Sequence, residues 1–140
     1  MRRTGHSWTP LPLSVSIAHR DGVAIAAAYD GATLIGVDIE RPHAVAPEHS
    51  RYFRGPRERD ASRDVDATLV WVLKEAAWKA LGLRNDLPFT ALELDFARDT
   101  RELRAVSIEG AWIGARAHVI RLSHPRELLA AVLVMDARAP

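Results

Sequence analysis

Three stretches of the chain hold side chains suited to phosphate and divalent-cation chemistry: His19, the pair Asp38 and Glu40, and the run from Trp71 to Lys79. Asp38 and Glu40 close the apolar segment Ile35-Gly36-Val37-Asp38-Ile39-Glu40, which reads as a short strand. Residues two apart on a strand share a face, so both carboxylates project together while Val37 and Ile39 point the other way. Unneutralised, they repel each other, and one must have a raised pKa or a cation must sit beside them. Mg²⁺ suits such a pair, because it takes one or two carboxylates and fills its shell with water and phosphate oxygens. A solvated strand end partnered by Arg41 is the alternative these residues leave open.

The run Trp71-Val72-Leu73-Lys74-Glu75-Ala76-Ala77-Trp78-Lys79 has helical spacing. At about 100° per residue, Trp71, Glu75 and Trp78 form one stripe, and Lys79 lies a turn beyond Glu75. Leu69, Leu73, Ala76 and Ala80 make a separate apolar face. The plainer reading is an ordinary i,i+4 Glu–Lys pair with packing tryptophans. His19 follows an apolar strand at a turn and serves as a ligand or as a hydrogen-bonded turn residue. The sequence holds no HxxxH or HExxH pair, no G-x-S-x-G elbow, no P-loop glycines and no GxGxxG.

These side chains need a frame. Alternation predicts strands over Leu13–Ala18 and Val23–Tyr29 and a third over Thr33–Ile39. Asp21-Gly22 and Asp30-Gly31 supply the turns, so the three read as an antiparallel meander. Leu13, Val15 and Ile17 fall on one face, and residues 1–12 read as a loosely held arm. From Arg41 to Asp66 the chain is rich in proline and charge, with Tyr52-Phe53 as its aromatic anchor. Asp66 is a good N-cap for a helix to Leu81, with Gly82 in the C′ position. Further strands are predicted over Leu92–Phe96, Ala105–Glu109, Ala115–Leu122 and Leu128–Met135. The fold class is α+β: one domain over residues 1–140, an antiparallel sheet packed on one long central helix.

Composition narrows the function. The 140 residues carry 19 basic and 18 acidic side chains, a net charge of +1, which argues against a nucleic-acid binder. With no cysteine there are no disulfides, thiol nucleophiles or cysteine zinc sites. No apolar run is long enough to span a membrane, and no apolar stretch follows Met1-Arg2-Arg3 to make a signal peptide. A cytoplasmic protein is the expectation. Of the basic residues 17 are arginine, and the only two lysines, Lys74 and Lys79, both lie in the helical run.

The order of these pieces resembles the 4′-phosphopantetheinyl transferase superfamily, in particular its secondary-metabolite branch. That family has a strand ending in Ser-His, then (I/V)-G-(I/V)-D-x-E, then W-x-x-K-E-(A/S)-x-x-K-A. Here these are Ser16-Ile17-Ala18-His19, Ile35-Gly36-Val37-Asp38-Ile39-Glu40 and Trp71-Val72-Leu73-Lys74-Glu75-Ala76-Ala77-Trp78-Lys79-Ala80. Tyr52-Phe53 with Glu58 resembles the family's aromatic pair followed by an acid, and Leu87-Pro88-Phe89 its L-P-hydrophobic stretch.

The resemblance implies transfer of 4′-phosphopantetheine from coenzyme A to a serine of an acyl or peptidyl carrier protein, releasing adenosine 3′,5′-bisphosphate. It implies that Asp38, Glu40 and Glu75 hold Mg²⁺ against the CoA pyrophosphate, and that Glu75 takes the serine proton. Lys79 is then the proton donor to the leaving bisphosphate, and His19, Lys74 and Lys79 contact CoA. Two departures stand out. Ala18 replaces the family's usual serine, taking away one donor near the 3′-phosphate. The chain also matches only the metal-bearing half of the two-half branch. The short fatty-acid-type relatives are homotrimers, so the resemblance implies a homo-oligomer, a trimer before a dimer. Arg2, Arg3 and Arg20 are then candidates to reach a neighbouring subunit's site. A non-catalytic family member that binds CoA or a carrier protein is the other reading.

Overall fold

The computed structural model describes residues 2–4, 7–9, 13–31, 33–61, 65–83 and 86–136. Strands β1 (Arg2–Thr4) and β2 (Ser7–Thr9) pair antiparallel where a loose arm is expected. Next come β3 (Leu13–Arg20) and β4 (Val23–Asp30), a hairpin closed by Asp21 and Gly22 with φ of 51° and 80°. Positive φ at both central residues matches the right-handed twist of the strands, which is why Asp-Gly serves here.

The meander stops at that hairpin. Strand β5 (Leu34–Glu40) does not pair with β4 but with the last strand, β9 (Leu128–Met135). It is the edge of a five-stranded antiparallel sheet of order β5-β9-β8-β7-β6, with β6 (Leu92–Phe96), β7 (Leu103–Ile108) and β8 (Ala111–Leu122). Strand β8 starts earlier than its apolar pattern predicts: Ala111–Gly114 pairs with β7, and Ala115–Leu122 with β9. Between β5 and β6 lie a 3-10 turn (Pro47–Tyr52), a short helix α1 (Glu58–Ala61) and the long helix α2 (Ala67–Leu81).

The α2 boundaries follow from its caps. The Asp66 carboxylate accepts from the Leu69 N–H at 3.0 Å, and Gly82 takes the left-handed conformation that ends the helix. Helix α2 covers one face of the sheet, packing Val72, Leu73 and Ala76 near Ala131, Leu133 and Met135. The hairpin covers the other face at β5 and β9, where Ala18 joins Val37, Ile39, Leu128 and Ala130. Strand β9 is thus buried on both sides, and its unbroken apolar sequence LLAAVLVM has that cause.

Leu13, Val15 and Ile17 do share a face of β3, but it is the outer one: they are 45%, 59% and 62% exposed. Ser16 and Ala18 point inward, and Ser16 Oγ accepts from the Val37 N–H at 3.0 Å. A small inner face lets the hairpin lie close on β5.

Helix and β5 meet closely at Gly36. A Cβ there would stand 1.8 Å from the Ala76 carbonyl oxygen and 3.1 Å from Ala80 Cβ. Backbone faces it, so no rotamer change makes room. Gly36→Ala is expected to cost at least about 1–3 kcal/mol through overpacking, read as a lower urea midpoint. An unchanged midpoint would contradict this packing.

Candidate active site

Asp38 and Glu40 share the face of β5 turned to α2, as period-two alternation requires. Lys79 Nζ donates to Asp38 Oδ1 at 2.8 Å and to the Val37 carbonyl at 3.1 Å. Asp38 is buried, and its Oδ2 has no hydrogen-bond partner among the described residues. Burial pushes the Asp38 carboxyl above the usual carboxylate range; the Lys79 ammonium opposes this and the Glu40 charge adds to it. Glu75, half-buried on α2, is raised chiefly by burial and then by Asp38, with Lys79 lowering it and Glu40 raising it further. Three carboxylates and one ammonium therefore act on one another across the β5–α2 seam.

An arginine joins these four groups. Arg20, at the end of β3, forms an ion pair from its terminal NH2 to Glu40 Oε1. Next to it, Arg41 donates to both oxygens of Asp21, at 2.6 and 2.7 Å. That neighbour holds the Asp21 carboxyl below its usual range. The sequence offers Arg20, with Arg2 and Arg3, as a candidate to reach a neighbouring subunit's site; within this chain Arg20 pairs with Glu40. His19 lies exposed beside Arg20, opposite Ala24 in the hairpin. Ala18 packs in the apolar cluster with Val37 and Ile39, so a hydroxyl there would face the core rather than a phosphate.

Lys74 stands apart from this group. It has no exposed surface, and its Nζ lies 2.6 Å from Glu58 Oε2, also fully buried. It also donates to the carbonyls of Phe53 and Phe89. Glu58 in turn accepts from the Gly55 N–H at 2.6 Å and the Leu94 N–H at 2.7 Å. Burial pushes the Glu58 pKa up and the Lys74 pKa down. The geometry favours the charged pair, because three acceptors face the nitrogen and only an ammonium has three hydrogens to donate. Lys74, expected to contact CoA, directs its ammonium in this structure to Glu58 and the two carbonyls. Five residues turn a helix by about 140°, so the spacing of Lys74 and Lys79 already separates their faces.

The stripe tryptophans are packing. Phe89 stacks between Trp71 and Trp78, with centroid distances of 4.9 and 4.7 Å, and Phe53 meets Trp71 edge-on. Tyr52, its partner in the expected aromatic anchor, is exposed.

Residues 34–132 match the family model described as the 4′-phosphopantetheinyl transferase superfamily. The chain belongs to that superfamily. Among solved structures, it is similar to the crystal structure of Thermotoga maritima holo-(acyl-carrier-protein) synthase, with a TM-score of 0.54 and 22% identity. That likeness covers 75% of this chain and 64% of the synthase, so the chain spans less than two thirds of the relative's length. No curated protein sequence matches the chain.

Within this superfamily member the match begins at the first residue of β5 and takes in Asp38, Glu40, Glu75 and Lys79. His19 and Arg20 lie before it. Among the described residues, no three His, Asp or Glu side chains are arranged to hold a metal ion as they stand. The donor set still suits a hard divalent cation: Asp38 offers a buried oxygen with no partner among the described residues, and Asp38 and Glu40 both lie within electrostatic reach of Glu75.

Sequence reasoning missed the Arg20–Glu40 and Lys74–Glu58 pairs, because both join residues distant in sequence and like-charged partners were equally available. Lys74→Met would take the ammonium away from the buried Glu58 carboxylate, and is expected to cost about 3–5 kcal/mol. Adding Glu58→Gln should recover part of that loss in a double-mutant cycle by urea unfolding. A stable Lys74→Met protein would show that the pair is dispensable.

Proposed function

We propose that this superfamily member is an Mg²⁺-dependent transferase that moves 4′-phosphopantetheine from coenzyme A to a serine of an acyl or peptidyl carrier protein. Adenosine 3′,5′-bisphosphate is the second product. The observation that carries the reading is the β5–α2 seam, where Lys79 reaches Asp38 beside a half-buried Glu75 whose pKa is raised.

Asp38, Glu40 and Glu75 would hold the cation, which when bound neutralises charge on the pyrophosphate. Burial and neighbouring negative charge make Glu75 a stronger base than a solvated glutamate, suited to take the serine hydroxyl proton. Lys79, about a third exposed, can turn its ammonium from Asp38 toward solvent and give a proton to the leaving bisphosphate oxygen. His19 stands exposed on the hairpin end, available to a further phosphate. Lys74 has no part in this.

Self-association belongs to the same reading. The outer face of the hairpin presents Leu13, Val15 and Ile17 across from Ala28, Ala26 and, at its end, Asp30. A largely apolar face of this kind is rare on a lone chain and suits a second copy. On this reading part of the CoA grip comes from a neighbouring subunit, in a trimer before a dimer.

Incubation with CoA, Mg²⁺ and apo carrier proteins should add the phosphopantetheine mass to a carrier serine. Glu75→Gln is expected to slow this roughly 10²–10⁴-fold, the usual worth of a general base. CoA binding with no transfer to any carrier would favour a non-catalytic binding protein instead. Separately, Ile17→Lys should reduce the mass measured by sedimentation to that of a monomer. A monomeric wild type with full activity would rule the oligomer out.

A further inference from the structure

Three carboxylates at the seam face two resident cations. Lys79 serves Asp38, Arg20 serves Glu40, and Glu75 makes no hydrogen bond or ion pair among the described residues. The Arg20–Glu40 pair is unequal: the Arg20 side chain is 43% exposed, the Glu40 side chain only 15%. The guanidinium can therefore leave into water at little cost, whereas the carboxylate stays in the seam and needs a replacement cation.

Immediately beside it, the Arg41 guanidinium grips both oxygens of Asp21, whose own φ is positive. This second pair joins the hairpin turn to the end of β5 through two hydrogen bonds, whereas Arg20 meets Glu40 through one. The charges alternate across the two strands, Arg20 to Glu40 and Asp21 to Arg41. The two-pronged pair is the harder to open, and the single-bonded one is the easier to exchange.

Resting on the function proposed above, we propose that Arg20 is a built-in counter-ion that competes with the divalent cation for Glu40. When the cation takes Glu40, the guanidinium is released and pairs with a phosphate of the nucleotide substrate. A guanidinium suits that second partner because its planar fork can donate two parallel hydrogen bonds to phosphate. Before the cation arrives, the same group keeps the carboxylates from repelling one another apart. Because the two binding events draw on one arginine, each strengthens the other by the same factor.

The test is calorimetric titration of Mg²⁺ and Mn²⁺ into the protein without CoA. Arg20→Gln should bind the cation more tightly than wild type, by about threefold for a half-exposed ion pair removed. Arg20→Lys, which keeps the charge, should stay near wild type. In a second titration, saturating Mg²⁺ should raise CoA affinity by a smaller factor in Arg20→Gln than in wild type. Thermal melting in EDTA checks that each variant is folded, since an exposed arginine contributes little to stability. Equal cation affinity in wild type and Arg20→Gln overturns the exchange while leaving the metal site in place. A wild type that binds neither cation overturns the exchange and the metal-dependent function together.

Discussion

The closeness of β5 to α2 at Gly36 governs the rest of the seam. With no side chain at that position, the strand backbone lies against the Ala76 carbonyl. Two residues along the strand, the same approach brings Asp38 under Lys79; one residue back along the helix from Ala76 stands Glu75. A side chain at Gly36 would lift the strand off the helix, and the carboxylates would no longer share an electrostatic environment. Ala76 and Ala80, small residues facing the strand, serve the same end from the helix side.

The two lysines of α2 divide structure from chemistry. Lys74 spends every donor on fixed acceptors, Glu58 and two carbonyls, and its neighbours hold both oxygens of Glu58 in turn. Such a closed network ties the loop at Phe53, the loop at Phe89 and strand β6 to the helix, and has nothing left to offer a ligand. Lys79 is the opposite case. It is partly exposed, and the far oxygen of its partner Asp38 has no hydrogen-bond partner among the described residues. The first pair gains from being complete, and the second is useful because it is not.

The hairpin has two jobs on two faces. Its inner face of small residues closes the core over β5 and β9, and its charged end reaches Glu40 and Arg41. Its outer face carries larger apolar side chains, Leu13, Val15 and Ile17, that stay exposed.

Local signals in the sequence were enough for the helix from Ala67 to Leu81, because its N-cap, glycine stop and apolar spacing all act within a few residues. They were also enough for the shared face of Asp38 and Glu40, which follows from strand geometry alone. The motif order led to the superfamily as well, since residue types and spacing are what a family preserves in sequence. Tertiary structure alone decided that β5 pairs with β9 rather than β4. It decided which face of β3 is covered, and which acid meets which of 19 basic residues. Alternation shows that a strand has two faces without saying which one the chain will bury. Coulomb attraction is likewise blind to sequence position, so the partners of Glu40 and Glu58 are set by where the backbone carries them.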